Sequence, residues 1–206
     1  MKKIIFLSST AEGKELLEWV KKQNCEIVFS ETDNEKILDF PKYDLGFGFL
    51  YTHKIPPTQF SIPNKWINFH PGSLPEYRGR NLAYHALMND SEFFGASIHF
   101  MTEKYDEGDI IEVVNFPISA TDTAGVINKK SIQILVGLFK KHFNEIIENK
   151  VVGVKQEKGF YYKKIEIENL IDLTAEQKKK IRALTVEDKF SPLVNVNGKV
   201  FKIIPS

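Results

Sequence analysis

The stretch Trp66-Ile-Asn-Phe-His-Pro-Gly-Ser-Leu-Pro-Glu-Tyr-Arg-Gly-Arg80 constrains the fold of this chain more than any other. Successive side chains of an extended strand point to opposite faces, so Asn68 and His70 share one face while Ile67 and Phe69 share the other. Pro71 and Gly72 then end the strand. An apolar run that carries a carboxamide and an imidazole into a Gly/Pro loop suits the carboxyl end of a strand in an open α/β sheet, where such sheets bind ligands.

The flanking sequence supplies that sheet. Lys2 to Leu7 reads as a buried strand and Ala11 to Lys22 as a helix, with Ser9 as N-cap and Glu12 completing a capping box. The turn between them lacks Gly-x-Gly-x-x-Gly spacing, which argues against a dinucleotide site. Its Ser8, Ser9 and Thr10 could hold a phosphate at the helix start or serve only as a cap. Glu26 to Ser30 and Tyr43 to Leu50 read as further strands, the latter with Gly46 and Gly48 open to close approach by a ligand or another chain. Pro56 and Pro57 bound a short helix or turn.

Leu82 to Asn89 reads as a helix with Leu82, Ala86 and Met88 inward, and Phe94 to Glu103 alternates as a strand that pairs with Ile110 to Val114. From Ala124 to Lys150 apolar residues recur at helical spacing behind an N-cap in Thr121-Asp122-Thr123, and Gly153 closes this helix. The expected fold is α/β: a Rossmann-like, mostly parallel twisted sheet flanked by helices, with later strands antiparallel. A small C-terminal α+β extension follows. The expected domains are 1–152 and 153–206, the second holding an edge strand at Gly159 to Ile167, a helix capped by Thr174 and Gln177, and a hairpin turning on Asn197-Gly198.

A net charge of +1 argues against a nucleic acid as the main partner. Cys25 is the only cysteine, which fits a reducing cytosol and excludes a thiolate metal cluster. No apolar run approaches the ~20 residues of a spanning helix, and the amino-terminal run is too short for a signal peptide. A soluble, cytoplasmic protein is expected. His70, His85 and His99 match no standard zinc spacing, so no metal is expected.

Gly95-Ala-Ser-Ile-His-Phe-Met-Thr-Glu-Lys-Tyr-Asp-Glu-Gly-Asp-Ile-Ile111 supplies a second polar group, Asp106, in the turn between two strands. With the first stretch it resembles the formyltransferase family that uses 10-formyltetrahydrofolate, whose pattern is Asn-x-His-Pro, then Leu-Pro and a Gly, then Asp-x-Gly-x-Ile-Ile. Asn68, His70, Pro71, Leu74, Pro75, Gly79, Asp106, Gly108, Ile110 and Ile111 all match. The family's usual Ser-Leu-Leu-Pro reads Gly72-Ser73-Leu74-Pro75 here, a departure on the substrate side.

The resemblance implies an N-formyltransferase with Asn68, His70 and Asp106 as its catalytic residues. Asn68 would donate to the developing oxyanion, and Asp106 would orient His70, favour its charged form and hold a proton-carrying water. It also implies a folate pocket touched by Phe49, Leu50, Tyr51, Tyr105 and Asp106, although Phe47 and Phe49 read equally well as core. Arg78 and Arg80 offer guanidinium forks for a phosphate or carboxylate, or stand as surface arginines.

For the amine, the tail favours a nucleotide-linked amino sugar, because sugar-nucleotide N-formyltransferases place a similar helix and hairpin after the catalytic domain. Methionyl-tRNA formyltransferases carry a larger RNA-binding domain, and glycinamide ribonucleotide transformylases a Gly-rich first turn. A peptide-linked amine and a folate-binding protein without turnover stand as alternatives. The edge strand and hairpin could pair two copies into a homodimer.

Overall fold

The computed structural model describes residues 1–31, 40–56, 58, 65–165, 174–186, 191–196 and 199–202. Its centre is a six-stranded sheet built from β1 (Lys2–Ser8), β2 (Cys25–Glu31), β3 (Leu45–Phe49), β4 (Lys65–His70), β6 (Phe93–Phe100) and β7 (Ile110–Pro117), in the order β2-β1-β3-β4-β6-β7. The first four pair in parallel, while β6 runs antiparallel to both β4 and β7. This is the expected Rossmann-like α/β sheet with antiparallel later strands.

Helices α1 (Ala11–Val20) and α3 (Ala124–Ile147) bury their apolar stripes against one face of the sheet. Phe139 of α3 packs its ring against Phe6, Phe47, Phe49 and Phe69, with centroids 4.9 to 6.2 Å apart. Aromatic pairs of this kind contribute ~0.5–1.5 kcal/mol each beyond the area they bury. Phe47 and Phe49 are therefore core residues, and a ligand can reach this part of β3 only through its backbone.

Local chemistry corrects several element ends. Thr10, not Ser9, caps α1, its hydroxyl accepting from Gly13 N at 3.1 Å. Three consecutive hydroxyl residues can each cap, and backbone geometry selects the last. Helix α3 ends at Ile147, and Asn149 takes the left-handed conformation (φ 58°) near its end. Gly153 serves elsewhere, because a Cβ there would lie 2.6 Å from Asp109 and 2.9 Å from the Phe100 ring. In α2 (Leu82–Met88) Leu87 is buried and Met88 is not.

Beyond α3 the chain returns to the sheet. Val154 bridges Ile110, and β8 (Phe160–Tyr162) pairs in parallel with β5 (Tyr77–Gly79), so the expected edge strand forms over a shorter span and already has a partner. Helix α4 (Ala175–Leu184) begins with the expected Thr174/Gln177 capping box and packs Ala183 against α2 residues. Strands β9 (Leu193–Val196) and β10 (Lys199–Lys202) pair antiparallel as a hairpin. Its Asn197-Gly198 turn, most of the Pro56-Pro57 segment and the end of the Gly159–Ile167 strand lie outside the described residues. Among the described residues no helix is long and apolar enough to cross a membrane.

Candidate active site

The site grows from the face of β4 opposite the aromatic core. Asn68 stands between Gly48 of β3 and His99 of β6, and His70 stands opposite Ser97. Gly46, one pleat earlier, lies under the Trp66 indole, where a Cβ would come within 2.3 Å of the ring. Its missing side chain makes room for a core residue rather than a ligand. Gly48 differs. The first atom its Cβ would meet is Asn68 Oδ1 at 3.4 Å, so its bareness leaves space beside the carboxamide.

Two devices bring Asp106 to this face. The loop after β6 folds back on itself, with Phe100 N donating to Asp109 O at 2.9 Å. Gly108 permits the fold because a Cβ there would sit 1.8 Å from Phe100 O. Asp106 itself is left-handed (φ 55°), a conformation that Asp tolerates better than most residues. The Asp-x-Gly signature thus has a steric cause in each of its two residues.

The carboxylate has one anchored and one working oxygen. Oδ2 accepts from Gly79 N at 2.9 Å. Gly79 reaches this position with φ 100°, against the Tyr162 carbonyl, where no side chain fits. Oδ1 faces Asn68 Nδ2 at 3.4 Å, His70 Nδ1 at 3.4 Å and His99 Nε2 at 3.7 Å. Of the three, Asn68 Nδ2 is the donor, and its bond is long for one to a carboxylate, which runs ~2.7–2.9 Å; catalytic hydrogen bonds commonly tighten only when substrate binds.

Each imidazole has one nitrogen spoken for. His70 Nε2 lies 2.7 Å from Tyr77 O, and a carbonyl only accepts, so Nε2 carries a proton and Nδ1 remains for chemistry. His99 Nδ1 likewise donates to Phe100 O at 2.7 Å, leaving Nε2 to accept from Asn68 Nδ2 at 3.0 Å. His99 and Asp106 together fix which end of the Asn68 amide points inward.

Burial also sets the charges. Burial favours the neutral form of Asp106, yet His70, His99 and Gly79 N outweigh it and hold the carboxyl well below its ordinary range. For His70 burial is the larger influence, with Asp106 pulling the other way, and the imidazole pKa is lowered. The resting imidazole is therefore neutral near pH 7. The expectation that Asp106 would charge His70 names a real pull, which burial overcomes.

His70, His99 and Asp106 place one ligand atom each within 4.8 Å of one another. Asn68 Nδ2 donates to two of these three acceptors, His99 Nε2 and Asp106 Oδ1. His85 lies elsewhere, stacked on Tyr162 with centroids 4.3 Å apart.

The remaining expected contacts divide. Arg80 is exposed and reaches Thr52 O at 3.3 Å, and Tyr105 is 53% exposed with its ring 6.5 Å from that of Tyr161. Leu50 (φ 53°) and Tyr51 are half-buried. Ser8 is fully buried, its hydroxyl 3.3 Å from Thr10 N and tight against Gly13, so it offers a ligand nothing. Ser9 binds Thr52 N and Thr10 caps its helix.

Arg78 is also corrected. It is buried, and its fork closes on Gln156 Oε1 and Glu157 O rather than facing a ligand. Sequence reading passes over Gln156 and gives His99 no place at Asn68. Strand alternation puts His99 on the same face as Ser97, but only the β4–β6 register sets it beside Asn68.

Residues 50–134 match the family described as Formyl transferase. The methionyl-tRNA formyltransferase of Geobacillus sp. (strain WCH70) is 31% identical over 124 residues, which is 60% of this chain and 39% of that protein. The chain thus spans about two fifths of the length of this relative. Among solved structures, a 4-N formyltransferase from Francisella tularensis superposes with a TM-score of 0.81 at 21% identity, covering 98% of this chain and 96% of that one. A formyltransferase from Anoxybacillus kamchatkensis, solved with UDP-4,6-dideoxy-4-formamido-L-AltNAc and tetrahydrofolate, superposes with a TM-score of 0.68 at 22% identity, covering 91% and 93%. The match to the formyl transferase family thus covers the segment that holds Asn68, His70 and Asp106, and the chain takes the fold of these solved formyltransferases.

Proposed function

We propose that the protein transfers a formyl group from 10-formyltetrahydrofolate to the primary amine of a nucleotide-linked amino sugar. The observation that carries this reading is the convergence of Asn68, His70 and Asp106, with Asp106 anchored through Oδ2 and open at Oδ1. The residues fit such a co-substrate: an amide donor stands beside a strand position that lacks a side chain, with a carboxylate and an imidazole next to it. The folate supplies an activated formyl group on a nitrogen that can leave.

Asn68 donates its amide N–H to the formyl oxygen as negative charge develops there. One donor of this kind is worth about 2.7–4 kcal/mol in other acyl-transfer sites. The attacking amine must lose a proton, and the pair formed by His70 Nδ1 and Asp106 Oδ1 can receive it. Nε2 keeps its own proton on Tyr77 O throughout. Asp106 stabilises the imidazolium while it exists, and Nδ1 returns the proton to the departing nitrogen. No covalent enzyme intermediate is needed.

Similarity over the whole chain supports the sugar acceptor. The Francisella and Anoxybacillus proteins align over nearly all of it, including the part after residue 152, and the latter was solved with a formamido sugar on UDP. The methionyl-tRNA formyltransferase aligns over a smaller share, and tRNA is the second reading. Residues 1–152 form the catalytic part in this proposal and 153–206 an extension docked on it, with Tyr105 and the backbone at Leu50 and Tyr51 on the folate side. Arg80 is the cation for a phosphate or carboxylate.

The test measures tetrahydrofolate release from 10-formyltetrahydrofolate with a panel of nucleotide-linked amino sugars, glycinamide ribonucleotide and methionyl-tRNA as acceptors. Turnover with a sugar nucleotide is expected, lost in Asn68→Ala and Asp106→Asn with folding retained. Folate binding without transfer to any acceptor would refute the proposal.

A further inference from the structure

We propose that Gln156, locked by Arg78, is a positioning residue that holds the Asp106 loop in its working conformation. Gln156 Nε2 donates to two carbonyls of that loop, Asp106 O at 2.9 Å and Gly108 O at 2.6 Å. Its Oε1 accepts from Arg78 Nε at 3.0 Å and Nη2 at 2.8 Å, and Nη2 also donates to Glu157 O at 2.9 Å. A guanidinium only donates and a carbonyl only accepts, so the amide can face only one way and both of its hydrogens are used.

The loop needs such a restraint. A left-handed non-Gly residue costs ~1–3 kcal/mol and persists only where its surroundings over-determine it. Gly79 N grips Asp106 through its side chain, and Gln156 grips the same residue through its backbone. Arg78 and Gly79 are adjacent, so one short strand, β5, governs both grips. The planar fork of Arg78 makes the linkage rigid in a way a lysine could not.

The clamp joins three segments distant in sequence and makes the return of the chain after α3 part of the site. It goes beyond the proposed function and rests on that reading only for its rate arm. The variants are Gln156→Glu and Gln156→Ala. The Glu variant keeps the size and can still accept from Arg78, but it loses both N–H donors. In both variants backbone hydrogen exchange over residues 102–109 is expected to rise about tenfold, as local opening becomes easier. With a working acceptor, kcat should fall ~10- to 100-fold at nearly constant KM, the cost of a carboxylate displaced by about 1 Å.

Wild-type exchange and kcat in Gln156→Glu, with or without a defect in Gln156→Ala, would overturn the proposal, because Gln156 would then be only a partner for Arg78. If the wild-type protein transfers no formyl group, the exchange measurement alone decides: faster exchange keeps the clamp while the proposed function fails, and unchanged exchange removes the clamp.

Discussion

Strand β4 has two faces that obey different rules. On one, Ile67 and Phe69 lie fully buried among rings, with Phe69 and Phe139 centred 4.9 Å apart. On the other, Asn68 Nδ2 donates to His99 Nε2 and Asp106 Oδ1, His70 Nε2 donates to the Tyr77 carbonyl, and His70 Nδ1 faces Asp106 Oδ1, where the two acceptors can share one proton. The apolar face is held by volume, which has no direction, so a swap that conserves volume costs little. The polar face is held by complementarity. Removing one of its members leaves the others buried and unpaired, at about 1–3 kcal/mol for each orphaned group.

The sharpest way to break this contrast is to cut each face separately. Phe69→Ala removes a ring from a packed cluster and is expected to cost about 3–5 kcal/mol of stability in chemical denaturation, with Phe69→Leu costing much less. Asn68→Ala, at a half-buried position, is expected to slow formyl transfer by 10²- to 10³-fold, about 2.7–4 kcal/mol, while stability falls by only about 1–3 kcal/mol, for the buried His99 Nε2 left without its donor. Equal loss of stability in the two variants would show that the faces are not energetically distinct.

Much of this was legible in the sequence, for reasons that differ between the faces. Period-two alternation put Asn68 and His70 together, and the Asp-x-Gly turn put Asp106 in a loop able to reach them. Helical spacing found the stripe of α3. What stayed hidden depends on register and long-range packing. His99 reaches Asn68 through strand pairing, and Gln156 meets Arg78 across 78 positions of sequence. Arg78 and Arg80 look alike as residues two apart, and burial alone separates a structural fork from an exposed one. Gly46 and Gly48 look equally open, yet Trp66 fills the space over the first.

The Asp106 loop lies between the two regimes, since its fold depends on bareness at Gly108 and its use depends on polarity at Asp106. Gly108→Ala places a methyl group 1.8 Å from Phe100 O, which forces the backbone apart. A cost of about 1–3 kcal/mol is expected. Because the loop moves, transfer should also fall although Asn68, His70 and Asp106 are themselves unchanged. Retained transfer with lowered stability would show that the loop can re-seat Asp106 without its tight turn.

The smallest expected effect on stability belongs to Asp106→Asn, and its value lies in the pH dependence. Asn has the same size, tolerates the left-handed backbone and can still accept from Gly79 N. At pH 7 burial keeps His70 neutral, so the change leaves no unpaired charge, and weaker hydrogen bonds are offset by the relief of desolvating an anion. The net change should be about 1 kcal/mol or less. Acidification separates the two proteins in two steps of opposite sign. A histidine whose folded pKa is lowered loses stability as pH falls below its unfolded value of about 6.5. Asp106 limits that loss by pulling the His70 pKa upward, so the variant should lose more and the gap should widen below pH 6.5. The depressed carboxyl of Asp106 works the other way: its contribution is full above the unfolded value of about 3.9 and disappears as pH falls towards the folded one. Only the wild type carries that term, so the gap should narrow again below pH 4. Denaturant unfolding of both proteins from pH 7 to pH 2 reads the difference directly, and a gap that stays flat would mean that Asp106 and His70 are not coupled across the polar face of β4.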